Sequence, residues 1–255
     1  MLDVARRRIL TGFAGISLAA LLADPKRVRA AAESLKVITL KTPSGRDVAG
    51  AFGLPQQTPA GAVLLIHEWW GLNDQIKAVA AELAKAGFIV LAADLYGGKV
   101  ASDPNNAQTY MNSVDPKAAE ETLAAWIDYL RGLKESNGKV GTIGWCFGGG
   151  WSLRASLARP VEATVIYYGK VDLTPEELKP LKGPVLGQFA NRDQWINPAM
   201  VSGFEAALKT DGKTAEINRY DADHAFANPT GQNYDAADAQ VAWDRTMAFL
   251  KANLS

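Results

Sequence analysis

Val140-Gly141-Thr142-Ile143-Gly144-Trp145-Cys146-Phe147-Gly148-Gly149-Gly150 is a β-branched run that breaks at a glycine, presents a cysteine and passes through more glycines into helical spacing. The pattern reads as strand, sharp turn and helix, with Gly144 and Gly148 on either side of Cys146 allowing the turn. Such a turn lifts the cysteine above the carboxyl end of its strand and aims the next helix N-terminus at it, a field that favours thiolate over thiol. This is the nucleophile-elbow arrangement with cysteine in the place of serine. The competing reading is a small, buried, inert cysteine packed against the sheet.

Outward from the elbow, short β-branched runs alternate with longer segments of helical period, the pattern of a mostly parallel sheet covered by helices. Eight strands are expected: Leu35 to Thr42, Val48 to Phe52, Ala62 to His67, Phe88 to Ala93, Val140 to Trp145, Ala163 to Tyr168, Pro184 to Phe189 and Ala215 to Tyr220. The first two read as a hairpin about Pro43, Ser44 and Gly45. Asn73 caps a helix that Gly87 ends, and Asp115 and Pro116 open another, whose connection Asn137 and Gly138 close. Further helices are expected over Gly148 to Ala158, Pro198 to Lys209 and Asp235 to Ala252. The polar stretch from Gly97 to Asn112 reads as a long excursion with a helical turn.

Other chemistry-bearing residues fall just beyond strand ends. His224, one of two histidines, follows the last strand in Asp223-His224-Ala225-Phe226, where a general base belongs. Asp193 follows the strand that ends near Phe189, giving the chain order nucleophile, acid, histidine. An aspartate there could instead cap the helix near Pro198. His67-Glu68-Trp69-Trp70-Gly71 follows the central strand, on the loop that supplies part of an oxyanion hole, so the Trp69 and Phe147 amides are the candidate donors. His67 is expected to lock that loop by hydrogen bonding. Glu68, an acid beside an anion-stabilising site, either faces solvent or holds the Cys146 thiol. Trp69, Trp70, Trp145, Trp151 and Trp195 lie on or near these loops and fit either an aromatic pocket or core packing, with Trp151 assigned to packing.

Together His67-Glu68-Trp69-Trp70-Gly71, Asp94-Leu95-Tyr96, Gly144-Trp145-Cys146-Phe147-Gly148-Gly149, Asp193 and His224-Ala225-Phe226 resemble the dienelactone hydrolase (carboxymethylenebutenolidase) family. The resemblance covers essentially all of the chain after its first 32 residues. It implies an α/β-hydrolase fold and a Cys146-His224-Asp193 triad, with no cofactor and no metal. It also implies a gating role for Glu68: contact with the resting thiol, movement when substrate arrives, and acceptance of the thiol proton. The family's carboxylate-binding arginines fall after the Asp-Leu-Tyr segment and after the histidine. Here those stretches read Gly97-Gly98-Lys99 and Ala227-Asn228-Pro229, leaving Lys99 as a partial substitute that lacks the planar two-point grip of a guanidinium. Trp70, Tyr96, Lys99 and Trp195 are the candidate substrate-binding residues.

Composition narrows the partners. The chain has 255 residues, 48% of them hydrophobic, with 27 basic and 27 acidic side chains. No net field draws it to nucleic acid or an anionic membrane surface. A small-molecule ester or lactone and a monomeric hydrolase are expected. Arg6, Arg7 and Arg8 precede an apolar run from Ile9 to Ala23, too short for a stable bilayer span. Residues 1–32 therefore read as an export signal of twin-arginine type with a cleavage site at Ala30-Ala31-Ala32, which places the protein in a bacterial periplasm and leaves 33–255 as a single domain. Cys146 is the only cysteine, so no internal disulfide can form. The alternatives to a lactone or ester hydrolase are a thioesterase or carboxylesterase of other acyl specificity, and a noncatalytic binding protein on the same fold.

Overall fold

The computed structural model describes residues 18–255, and the sheet it contains follows the expected strands closely. These are β1 (Lys36–Lys41), β2 (Asp47–Gly53), β3 (Ala60–Ile66), β4 (Ile89–Ala93), β5 (Ser136–Trp145), β6 (Ala163–Tyr167), β7 (Val185–Ala190) and β8 (Ala215–Tyr220). Their spatial order is β1-β2-β4-β3-β5-β6-β7-β8. β1 pairs antiparallel with β2 and β2 with β4, and all other pairs are parallel. Every residue of β3, β4, β6 and β7 is buried, as continuous apolar runs require when helices cover both faces. This is the α/β-hydrolase fold.

The helices are α1 (Leu18–Leu22), α2 (Pro25–Glu33), α3 (Asp74–Lys85), α4 (Pro104–Asn112), α5 (Pro116–Gly132), α6 (Phe147–Ala158), α7 (Pro175–Leu178), α8 (Pro198–Thr210) and α9 (Ala236–Leu254). Polar caps start them where the sequence signals lie: Asn73, Asp115 and Asn197 accept from the amides of Ile76, Ala118 and Met200. Besides α1, α2 and the short α7, which were not expected, two elements depart from expectation. The excursion after Gly97 contains a full helix, α4, because Asp103 caps it and Pro104 fits its first turn. β5 begins at Ser136, so Asn137 and Gly138 belong to the strand rather than the connection. Ser136 pairs with Ala60 and Val140 with Ala62, and Gly138 at φ 87° absorbs part of the irregular register between them.

The export segment read over residues 1–32 lies outside the described residues as far as residue 17. Its remainder forms α1 and α2, with α2 packed on α3 and Leu21, Leu22, Ala31 and Ala32 buried. The proposed cleavage run thus sits in a packed helix. Among the described residues no helix is long and apolar enough to cross a membrane.

α6, which carries the elbow, is buried along most of its circumference and is tied to the sheet by hydroxyls. The Ser152 hydroxyl lies 2.9 Å from Thr142 Oγ1 and donates to the Val165 carbonyl at 2.8 Å. Ser156 lies 2.9 Å from Thr142 Oγ1 and 2.7 Å from Thr164 Oγ1. All four side chains are fully buried, so each hydroxyl must find its partners inside the protein. Replacing Ser152 by alanine should therefore destabilise the fold by about 1–3 kcal/mol, read as a lower urea midpoint at unchanged m-value.

Candidate active site

β5 ends at Trp145 and α6 begins at Phe147, so one residue makes the reversal. Cys146 does so at φ 53° and ψ −117°, outside the regions that L-residues favour and a cost of about 1–3 kcal/mol. The flanking glycines act differently from the sequence reading, since neither adopts a positive φ. They permit close approach: a Cβ on Gly144 would lie 2.0 Å from the Gly148 carbonyl oxygen, and one on Gly148 would lie 2.3 Å from that of Ile66. The Cys146 amide donates to the Tyr167 carbonyl at 3.0 Å, anchoring the turn to β6.

The loop after β8 brings His224 to the elbow. Its Nε2 lies 3.2 Å from Cys146 Sγ and its Nδ1 lies 2.6 Å from Asp193 Oδ2. Ala225 turns the chain at φ 65°, and Asn233 donates to the His224 carbonyl at 3.0 Å. Asp193 spends its second oxygen on the amides of Trp195 and Ile196, at 2.8 and 2.9 Å. The following helix is capped by Asn197 instead, so Asp193 is left to the imidazole. Burial pushes the Asp193 carboxyl up, but the His224 hydrogen bond, its charge and the two amides outweigh burial and hold it below the usual aspartate range. Burial likewise opposes protonation of His224, yet Asp193 and the cysteine sulfur together raise it to about 10.

His67 and Glu68 divide the work of the loop after β3. His67 is fully buried, with Nδ1 donating to the Glu68 carbonyl at 2.6 Å and Nε2 accepting from the Leu95 amide at 3.2 Å. Both ring nitrogens are thus committed to holding the loop, and burial lowers its proton affinity. The backbone amides of Trp69 and Phe147 donate to no backbone carbonyl among the described residues and remain available to an oxyanion.

Glu68 is only 5% exposed. Its Oε2 accepts from Asn228 Nδ2 at 2.7 Å, and the Asn228 carbonyl oxygen in turn accepts from Gln75 Nε2 at 2.9 Å and the Thr230 amide at 3.0 Å. The expected contact of Glu68 with the resting thiol is not the hydrogen bond seen. The sulfur is taken by His224, and the carboxylate is turned to Asn228. Burial pushes Glu68 up to about 7, against the opposing pull of His224, Asn228 and Tyr168. The Tyr168 hydroxyl lies fully buried beside Glu68, outside good hydrogen-bond geometry, and burial raises it well above the usual tyrosine range. Tyr168 takes φ 36° and sets its ring edge-on to His224, with centroids 5.2 Å apart.

Cys146, His224 and Glu68 open on a cavity of about 830 Å³ whose wall includes Trp69, Trp70, Phe147 and Trp195. Trp195 stands 71% exposed at the mouth, with its ring edge-on to His224 at 5.2 Å. Trp151, assigned to packing, is both buried and part of this wall. Trp145 instead stacks on Tyr167 at 5.1 Å, away from the cavity. Two expected substrate contacts are placed elsewhere. The Tyr96 ring is buried against the stacked pair His67 and Phe147, at 4.6 and 5.6 Å, and the Lys99 ammonium lies 5.4 Å over the Tyr110 ring in a separate groove. Gly97 and Gly98, both at positive φ, carry the chain away before Lys99 is reached. Asn228 and Tyr168 were not singled out by the sequence. Only the position of Tyr168 at the carboxyl end of β6 hinted at its place.

The sequence profile described as the dienelactone hydrolase family matches residues 48–254. The chain belongs to that family. As a dienelactone hydrolase family member it is a hydrolase. It is 31% identical over 223 residues to protein usf of Aquifex pyrophilus, covering 83% of this chain and 96% of that protein. It is 26% identical over 227 residues to carboxymethylenebutenolidase 1 of Cupriavidus pinatubonensis, covering 84% and 95%. A solved dienelactone hydrolase-like promiscuous phosphotriesterase from metagenomic libraries shares the fold at a TM-score of 0.76, 22% identity, and coverage of 87% of this chain and 100% of that one.

The elevated proton affinity of Glu68 in this dienelactone hydrolase family member has a measurable sign. Below the unfolded glutamate value of about 4.5 both states are protonated and burial of the group is neutral to pH. Between that value and about 7 the unfolded chain ionises first, so stability falls as pH rises and then levels off. Glu68→Gln removes that loss. Its stability relative to the parent should rise by about 3 kcal/mol between pH 4.5 and pH 7.5, checked by urea unfolding at each pH.

Proposed function

We propose that the protein hydrolyses a carboxylic ester or lactone through a thioester formed on Cys146. The observation that carries this reading is the His224 ring engaged at both nitrogens, by Asp193 at 2.6 Å and by the Cys146 sulfur at 3.2 Å, on a strained elbow open to a cavity. With Nδ1–H given to the carboxylate, Nε2 faces the sulfur and is placed to shuttle a proton.

In the first half-reaction the Cys146 thiolate forms a bond to the acyl carbon and the carbonyl electron pair moves onto oxygen. The Trp69 and Phe147 amides receive that oxyanion. Losing one such donor typically costs about 2.7–4 kcal/mol of transition-state stabilisation. The intermediate collapses, the alkoxide departs with a proton from His224, and a thioester remains. In the second half, His224 takes a proton from water, the hydroxide attacks the thioester, and the sulfur leaves as thiolate. Once substrate entry turns its carboxylate from Asn228 toward the sulfur, Glu68 accepts the thiol proton of the resting enzyme.

A thioesterase or carboxylesterase would use the same machinery and differ only in the leaving group, whereas a noncatalytic binding protein would have no need of the strained elbow. Cys146→Ala should lower kcat/KM for p-nitrophenyl acetate by about 10³-fold or more. A quenched reaction of the parent should show one acyl group on the Cys146 peptide by mass spectrometry. Undiminished turnover in the alanine variant would discard the mechanism.

A further inference from the structure

The cavity that receives the acyl group is rich in aromatic surface and poor in usable positive charge. Trp70, Phe147, Trp151, Tyr168, Trp195 and Ile196 contribute to its wall. Besides His224, the cationic side chains on that wall among the described residues are Arg154 and Lys170, and each already faces an acid. Arg154 lies 3.5 Å from Glu120 and over the Trp151 ring at 5.8 Å, and Lys170 lies 3.2 Å from Asp172. Both stand at the rim, 46% and 66% exposed, where water screens them. Lys99 is outside the cavity.

The interior charge points the same way. His224 and Asp193 cancel each other. The Cys146 thiolate of the proposed mechanism puts one negative charge beside the acyl carbon, and the Glu68 carboxyl lies on the same wall. The side chain that reaches Glu68 is the neutral amide of Asn228, itself held by Gln75 and Thr230. A carboxylate entering with the acyl group would lose its hydration, meet no unpaired cation and lie near a like charge. An apolar acyl group would instead exchange water for aromatic surface.

Resting on the hydrolase reading above, we infer that this cavity selects uncharged, apolar acyl groups and rejects esters or lactones whose acyl part carries a free carboxylate. The specificity-determining residues are Asn228, which supplies an amide where a cation would pair with such a carboxylate, and the tryptophans of the wall.

Two esters of equal acyl length separate the alternatives: p-nitrophenyl hexanoate and the p-nitrophenyl half-ester of adipic acid. Turnover of both is measured on the parent protein, and binding of both to Cys146→Ala is followed by tryptophan fluorescence. The neutral ester should show at least about tenfold higher kcat/KM on the parent and at least about tenfold tighter binding to the variant. Equal or stronger binding of the half-ester overturns the proposal, as does failure of both to bind. If the parent hydrolyses neither while the variant still prefers the hexanoate, the catalytic reading falls and the selectivity stands. Asn228→Arg, where it folds, should narrow or invert the preference in the binding measurement, and an unchanged ratio would remove Asn228 from the argument.

Discussion

The site depends on a single backbone reversal: Cys146 must turn the chain from β5 into α6 at a positive φ without being a glycine. That conformation survives only if the surroundings determine it more strongly than local sterics oppose it. The determination comes from close contact. Gly144 and Gly148 bring strand and helix nearer than any side chain would allow, the Cys146 amide is fixed to β6, and the buried hydroxyls of Thr142, Ser152, Ser156 and Thr164 bind α6 to the sheet beneath it. An elbow held this way presents its sulfur to His224 with little freedom, and preorganisation of that kind is what the proposed nucleophile and base require.

Two buried carboxylates near the imidazole show how environment divides labour. Asp193 receives two backbone amides and a histidine, enough to outweigh desolvation, and stays ionised. Glu68 is more deeply enclosed and has the amide of Asn228 and a poorly aligned tyrosine, so desolvation prevails and its proton affinity moves to the neutral range. The first is suited to orienting a histidine that becomes positive. The second is suited to exchanging a proton. The same side-chain chemistry thus yields a permanent charge and a switchable one, the separation that acid-base sites commonly exploit.

The sheet and the residues at its carboxyl edge were largely legible because both are carried by local patterns. Buried strands appear as apolar runs, and Cys146 and Asp193 follow such runs closely, whereas His224 follows the more polar edge strand β8. Features that depend on tertiary contact were not legible. β5 extends back to Ser136 because it pairs with Ala60, which the turn-like Asn137-Gly138 conceals. Tyr168 acquires significance only from its proximity to Glu68, and Asn228 from a hydrogen bond spanning 160 residues of sequence. Tyr96 and Lys99 were assigned to substrate because they lie close to a motif, yet one is enclosed between aromatic rings and the other is carried off by two glycines at positive φ. Proximity along the chain reports the loop a residue belongs to, whereas its direction is set by packing.

Direction also explains why two tryptophans flanking Cys146 have different fates. Trp145 is the last residue of β5 and packs with Tyr167 and α9 on one face of the sheet, while Phe147 and Trp151 on α6 join the aliphatic and aromatic cluster of α5 on the other. Cys146 sits at the edge where these two cores meet. Tyr168, against which His224 is set, and Phe226, which packs on Tyr168, belong to the first core, and Phe147 and Trp151, which wall the cavity, belong to the second. The cavity wall therefore draws on both cores, through Tyr168 in the first and Phe147 and Trp151 in the second. Changes to the α5 side can reshape what the cavity accepts without disturbing the hydrogen bonds that hold His224, which is a physical route by which one family keeps its chemistry while altering its substrates.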